Sequence, residues 1–398
     1  MELHTGSLYW KTTVEGTPFR QSALADFYDV VIIGGGMSGA LCAYILSKED
    51  LKVALIDERI IGAGSTSANT GLLQFSNDIM LHELMAQIGE RAAARFYKSC
   101  EAAIGQLNEV AASLAVDTEF CQRSSLYFAS TEEDVSRLQK EYETLRHYGF
   151  PAEYWESHEV AAQFPFSKPG AIVTHGDAEV NPLRFCRGAI GFAEERGVHI
   201  FENTKVVEIR EREDRVDVET AAGVLHADNI IFSTGYTRPP FLNSKQAELK
   251  RTYAMATKPL EDVRLWKDRM MIWETKRPYL YARLTLDNRI IIGGLDEDKS
   301  TVPCTGALLQ SRGERLRKEA ARLFPQFQIE MDHTWAAIFG ECADNLPLIG
   351  QHPEFPRLYY LIGLGGNGTV YSMLGARLIR DLLAGTPNDL AAIVRLDR

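Results

Sequence analysis

The stretch Asp29-Val30-Val31-Ile32-Ile33-Gly34-Gly35-Gly36-Met37-Ser38-Gly39 decides the fold. Asp29 to Ile33 is a short β-branched run that ends in glycines, the pattern of a buried strand. Met37 to Lys48 follows as an apolar, helix-compatible segment, and Lys52 to Asp57 reads as a second buried strand. Strand, turn, helix and strand in such a short span make a βαβ unit. Gly34, Gly36 and Gly39 stand at Gly-x-Gly-x-x-Gly spacing between the first strand and the helix, the context a dinucleotide fingerprint requires. Gly34 permits the tight turn, Gly36 lets a pyrophosphate approach the backbone, and Gly39 lets the helix pack on the sheet. The helix N-terminus brings free N–H groups and a partial positive charge to the phosphates. Asp57, at the end of the next strand, is placed to accept hydrogen bonds from both ribose hydroxyls, and its charge repels a 2′-phosphate, which argues against NADP.

The fingerprint alone leaves NAD and FAD open. A second glycine cluster, Gly363-Leu364-Gly365-Gly366-Asn367-Gly368, follows a buried strand at 357–363 and precedes a helix from Thr369 to Leu383. A helix N-terminus there suits negative charge on a reduced flavin ring, which tilts the reading toward FAD.

The rest of the chain fits a two-domain enzyme. A length of 398 residues exceeds one ordinary core. The net charge of -11 speaks against a nucleic-acid partner, since counterion release needs clustered positive charge. Cys42, Cys100, Cys121, Cys186, Cys304 and Cys342 form no Cys-x-x-Cys pair, and the histidines are scattered, so no metal site is expected. Widely spaced thiols fit a reducing, cytoplasmic compartment. Val30 to Ser47 is uncharged but broken by three glycines, so it reads as strand, turn and helix and not as a membrane span. Residues 1–27 read as an arm laid across the surface. Helical periodicity covers 79–115, Glu132 to Tyr148, Asn181 to Arg196 and Thr305 to Leu323, while 198–235 and 250–295 are rich in strands. On one of these strands Tyr279, Tyr281 and Arg283 alternate and so share a face, an aromatic wall with one cation. Structural roles are the expectation for Arg251 and Tyr253, and a surface position for His82.

Together these segments resemble the D-amino acid oxidase superfamily of flavoproteins, which includes glycine oxidase, sarcosine oxidase and gamma-glutamylputrescine oxidase. The resemblance is carried by Val31 to Gly39, Leu55 to Asp57, Gly64 to Gly71, Asn181-Pro182, Thr204 to Val206, Asp228 to Gly235, Arg289 to Gly294, Trp335, Asp344 to Pro347, Ile349-Gly350 and the Gly363 to Gly368 loop. Ser7 to Trp10, Tyr281, Arg283, Asp287 and Arg289 are most similar to the gamma-glutamylputrescine oxidase branch. The resemblance implies an α/β fold: a Rossmann-like FAD-binding domain of the glutathione-reductase type, interleaved with an α+β antiparallel-sheet substrate domain. The expected division is 28–80, 171–245 and 335–398 for FAD, 81–170 and 246–334 for substrate, and the arm at 1–27.

It also implies roles by position. Gly34, Gly36, Met37, Ser38 and Gly39 form the pyrophosphate turn, with Asp57 and Glu58 at the adenosine ribose. Ser65, Thr66, Asn69, Thr70, Gly71 and Leu72 run along the pyrophosphate and flavin ring, and Val206 meets adenine through its backbone. Thr234 and Gly235 line the dinucleotide, and Gly363, Gly365, Gly366, Asn367, Gly368 and Thr369 meet the flavin pyrimidine edge. Tyr281, Arg283, Phe339 and Glu341 are the expected catalytic-pocket residues, Glu341 as an attractor of a substrate ammonium.

Three departures from the family pattern matter. Four residues after Trp335 stands Phe339, where glycine oxidase has an arginine that clamps the substrate carboxylate. A ring cannot replace a bidentate guanidinium, so an amine gains weight over a simple α-amino acid. Sarcosine oxidase attaches its flavin to a cysteine near the position of Ile338; no cysteine stands there and Cys342 is off by four, so noncovalent FAD is expected. Ile291 stands near the lysine that helps oxygen react in sarcosine oxidase, which leaves oxygen or another electron acceptor open. The expected chemistry is oxidation of a C–N bond in a small amine or amino acid, by hydride transfer to flavin N5, giving an imine that hydrolyses. The alternatives are a dehydrogenase or flavin subunit that passes electrons to a partner, and a flavin-binding module without turnover. The oligomeric state stays open.

Overall fold

The computed structural model describes residues 2–23, 25–221, 223–237, 240–242, 247–302 and 305–398, so Cys304 lies outside the described residues. The chain folds around two large sheets. The first has eight strands and a parallel centre. Tyr28–Ile33 lies between Val53–Ile56 and Gly223–Gly235, with His199–Phe201 beyond the former and Leu358–Ile362 beyond the latter, all parallel. Leu348–Gln351 closes one edge antiparallel, and Val206–Glu211 with Val216–Thr220 form a hairpin beside Gly223–Gly235. The chain leaves Tyr28–Ile33 toward one neighbour first and reaches the other much later. Such a switch point opens a crevice at the carboxyl ends of the strands, where α/β sheets bind ligands.

Helix Met37–Leu46 explains the uncharged run. All ten of its residues are buried, because helices Pro182–Glu194 and Gly368–Leu383 pack on it in addition to the sheet. A helix covered on every side carries no polar stripe. Among the described residues no helix is long and apolar enough to cross a membrane.

The second sheet has ten strands, in the order His4–Gly6, Met331–Cys342, Ala247–Thr257, Ile290–Glu297, Leu280–Leu284, Met271–Glu274, Cys121–Phe128, Gly170–Glu179 and Leu72–Leu73, with Ala152–Glu156 beside Gly170–Glu179. Its pairs are antiparallel except Met271–Glu274 with Cys121–Phe128. Fold class and architecture are those expected from the sequence. Gly170–Glu179 and Met331–Cys342 run in this second sheet, although the sequence division puts most of each with the nucleotide segments.

The structure corrects several local expectations. The helical stretch at 79–115 is two helices, Leu81–Ile88 and Glu90–Ser113, parted at Gly89 where φ is +88°. The N-terminal arm does not simply lie on the surface. His4–Gly6 adds an edge strand against Trp335 to Ala337, and Trp10 is fully buried. His82 is largely buried, its Nδ1 2.7 Å from Glu141 Oε2. Arg251 and Tyr253 are structural as expected, joined through Glu297 Oε2 at 2.5 and 3.1 Å. Among the described cysteines all five are free; Cys121 is half-buried and the others are buried.

Candidate active site

The fingerprint loop is built by close backbone approach. Gly34 has φ +110°, and a Cβ there would lie 2.4 Å from Ser233 O; a Cβ on Gly39 would lie 1.8 Å from Gly34 O. Only glycine fits either position. The turn is tied down when Ser233 Oγ donates to Gly34 O at 2.9 Å and Met37 N–H donates to Thr66 Oγ1 at 2.9 Å. Asp57 accepts from Gly35 N–H at Oδ2 and from Arg59 N–H at Oδ1, both at 2.7 Å. Burial raises its carboxyl pKa, against those two donors, which lower it.

The segment Ser65 to Leu72 crosses from this loop to the second sheet. It is held at three successive carbonyls. Trp335 Nε1 donates to Ala68 O at 2.9 Å, Trp10 Nε1 to Asn69 O at 2.6 Å, and Arg283 Nε to Thr70 O at 2.8 Å. Gly71 has φ +79° and passes so close to Val180 O and Arg283 Nη2 that a Cβ would lie 2.2 and 2.6 Å from them. The arm and the far strand thus fix the path of one loop.

A single cavity of about 410 Å³ runs from this nucleotide end to the second sheet. Every cofactor residue singled out in the sequence lines it except Gly39, Gly71 and Gly363. Those three are backbone approaches: Gly39 under Gly34, Gly71 against Arg283, and Gly363 with φ +64° against Cys342 Sγ. The hydroxyls of Ser65 and Thr369 line the cavity too, buried and without hydrogen-bond partners among the described residues. Thr369 lies in the first turn of helix Gly368–Leu383, whose N-terminus thus faces the cavity. Orphaned hydroxyls, two helix N-termini and a side-chain-free turn fit a dinucleotide that brings its own acceptors.

At the other end the walls are aromatic. Tyr236, Trp273, Tyr279, Tyr281 and Phe339 line the chamber, with Asp78, Thr252 and Asp296 among them. Tyr279 O–H donates to Asp78 Oδ1 at 2.7 Å, and Gly366 N–H donates to Asp78 Oδ2 at 3.2 Å, so Asp78 joins the tyrosine wall to the second glycine cluster. Burial, with Asp78 adding to it, lifts the Tyr279 phenol well above its ordinary pKa, so it stays a donor. Asp296 Oδ1 is buried and has no partner among the described residues. Burial pushes the Asp296 carboxyl up to about 6, with Asp78 and Glu341 adding to the rise and Thr252 opposing it.

Of the four expected catalytic-pocket residues, Tyr281 and Phe339 line the chamber and two do not. Arg283 is 3% exposed and wholly engaged: besides Thr70 O it donates to Val180 O at 2.8 Å and pairs with Glu179 Oε2 at 3.3 Å. The Thr70–Gly71 loop covers it, so a substrate-facing role is not retained. Glu341 lies off the cavity and pairs with Lys250 Nζ at 2.6 Å. Sequence reasoning missed Asp78, Asp296 and Tyr236. One signal for Asp296 was present: Gly293-Gly294 interrupts a buried strand just before it. Glycine inside a strand marks a close approach, and here a Cβ on Gly293 would lie 2.4 Å from the Tyr281 hydroxyl.

Comparison with known proteins agrees with this geometry. The family model described as FAD dependent oxidoreductase matches residues 29–382. Glycine oxidase of Bacillus subtilis strain 168 is 26% identical over 380 residues, which is 93% of this chain and 97% of that protein. Gamma-glutamylputrescine oxidoreductase of Escherichia coli K12 is 25% identical over 421 residues, 100% of this chain and 93% of the other. The crystal structure of glycine oxidase from Geobacillus kaustophilus superposes with a TM-score of 0.80 at 22% identity, covering 94% of this chain and 99% of that one.

Proposed function

The chain belongs to the FAD dependent oxidoreductase family, and on that premise we propose that it oxidises the C–N bond of an amine or amino acid. Bound FAD supplies the acceptor for a hydride from the carbon beside nitrogen. The fingerprint turn, Asp57 and the Ser65 to Leu72 loop hold the nucleotide half, and the start of helix Gly368–Leu383 faces the flavin end. Tyr279, Tyr281, Trp273 and Phe339 shape an aromatic chamber in which a carbon can be held against the cofactor. The substrate nitrogen enters the step neutral; the carbon loses hydride, nitrogen loses a proton, and the resulting imine adds water to release a carbonyl compound and the amine fragment.

One observation carries this reading: the cavity that holds the dinucleotide residues continues into an aromatic, acidic chamber lined by Phe339, the residue four after Trp335 where the family resemblance implies an arginine clamp. Two relatives are named glycine oxidase and gamma-glutamylputrescine oxidoreductase, after nitrogen-bearing substrates, which supports the class. We take the eight-stranded sheet with its helices as the cofactor part and the ten-stranded sheet as the substrate part. FAD is held without a covalent bond: Ile338 lines the cavity, and the Cys342 thiol is buried, which pushes its pKa up to about 11 and keeps it un-nucleophilic. Ile291 is fully buried and brings no cation to help oxygen, an observation that favours delivery of electrons to a partner acceptor as the second reading.

The test is product recovery. Incubation of the holoprotein with a primary amine and an artificial acceptor is expected to yield ammonia and a hydrazine-trappable carbonyl compound in equal amounts. Acceptor reduction without either product would overturn C–N oxidation.

A further inference from the structure

The aromatic end of the cavity holds two carboxylates, and among the described residues no cation forms an ion pair with either. Asp78 and Asp296 both line it. The described cations nearby have other partners, and Lys250 acts on Asp296 only through its charge. Lys250 is paired with Glu341, Arg283 with Glu179, and Arg277 lies over the Tyr279 ring at 4.7 Å with Nη2 donating to the backbone Asp78 O at 2.8 Å. Arg59 and Lys205, the lining cations, stand at the nucleotide end beside Asp57 and Val206.

A buried carboxylate oxygen without a partner is costly, and proteins keep one where a ligand supplies the missing donor. Asp296 Oδ1 is such an atom. Thr252 and the tyrosine rings surround it, and aromatic faces with a carboxylate attract an ammonium by its charge and by the ring quadrupole. The position of Asp296 is enforced by the strand: Leu295 before it has φ +62°, and the two glycines ahead of that admit Tyr279 and Tyr281 alongside.

We infer that the substrate carries a second cationic group besides its reacting amine, and that Asp296, with Asp78 and the rings of Tyr279 and Tyr281, binds that group. The substrate class is an α,ω-diamine or a longer polyamine, not an α-amino acid held by its carboxylate. This rests on the C–N oxidation reading and adds the specificity to it. The reacting nitrogen is neutral at the flavin while the distal nitrogen stays charged at the carboxylates, so one chamber serves both demands. Burial first, then Asp78 and Glu341, raise the Asp296 pKa against Thr252 and Lys250, and a cation bound beside it would lower it.

The experiment uses the FAD-loaded full chain. Binding of a bis-quaternary alkane diammonium salt, which cannot be oxidised to an imine at a primary nitrogen, is read from the perturbation of the flavin visible band. Flavin reduction is then followed without oxygen for α,ω-diamines of graded length, alkyl monoamines of the same lengths and α-amino acids. Diamines are expected to half-saturate reduction at concentrations at least about tenfold lower than matched monoamines. In Asp296→Asn that ratio is expected to collapse toward one, and dication binding to weaken by a similar factor; Asp78→Asn, which leaves Asp296 in place, is expected to reduce the ratio in part. Equal use of monoamines and diamines by the unmodified protein, or preference for α-amino acids, would overturn the inference while leaving C–N oxidation intact. Asp296-dependent dication binding without reduction by any amine would keep the cation site and sink the oxidation reading.

Discussion

Arg283→Met separates a clamp on the protein from a clamp on a substrate. Arg283 donates to Thr70 O and Val180 O, each at 2.8 Å, and faces Glu179, which is 1% exposed on its side chain. Methionine fills much of the same volume and removes every donor. The two carbonyls each lose about 1 kcal/mol of hydrogen bonding. Glu179 keeps its ion pair with Arg123, at 2.8 Å, and breaking one partner out of a buried ion pair costs about 3–5 kcal/mol. These terms overlap, so a total loss near the buried-pair figure of about 3–5 kcal/mol is expected. Urea unfolding followed by tryptophan fluorescence measures it. Because the freed carbonyl belongs to the loop along the cofactor, FAD affinity is expected to drop about tenfold with it. Unchanged stability and FAD affinity together with a large loss of amine affinity would refute the reasoning and return Arg283 to the pocket.

Other outcomes follow from single contacts. Gly39→Ala puts a methyl 1.8 Å from Gly34 O, so the purified variant is expected to lack FAD, seen as loss of visible absorbance. Trp10→Phe deletes the donor to Asn69 O and is expected to cost about 1 kcal/mol of stability with a measurable fall in FAD affinity by fluorescence titration. Asp296 is neutral below its pKa of about 6 and charged above, facing Asp78, Glu341, Lys250 and Thr252. Dication affinity is therefore expected to rise between about pH 5 and 7 and then level off, and a flat profile would contradict the role given to Asp296. The same raised pKa makes the charged carboxyl a burden on the apoprotein above that range and none below its unfolded value. Asp296→Asn is expected to raise apoprotein stability at pH 8 by about 1–2 kcal/mol, a figure discounted for the residue's partial exposure, with no gain at pH 4.

The cofactor half of the molecule was legible because a dinucleotide imposes its demands locally. Gly34, Gly36, Gly39 and Asp57 serve one ligand from one βαβ unit, and their spacing states the geometry. The chamber was not legible in the same way. Asp78 follows strand Leu72–Leu73, Asp296 lies near the end of strand Ile290–Glu297, and although both strands belong to the ten-stranded sheet they are far apart in sequence and not neighbours in it, so local sequence does not announce their meeting at the cavity. Arg283 shows the limit of strand periodicity. Alternation places Tyr281 and Arg283 on one face, but the Thr70–Gly71 loop covers only the second of them, and that cover comes from more than two hundred residues away in sequence. The arm was misjudged for a related reason: nothing near Trp10 announces that its indole closes on Asn69.

Anaerobic mixing of the FAD-loaded protein with amines and with alcohols of matched carbon skeleton tests C–N oxidation most directly. Bleaching of the flavin band near ~450 nm, brought by its isoalloxazine ring, is expected with amines and absent with the alcohols. Bleaching by the alcohols, or by neither set, would contradict it.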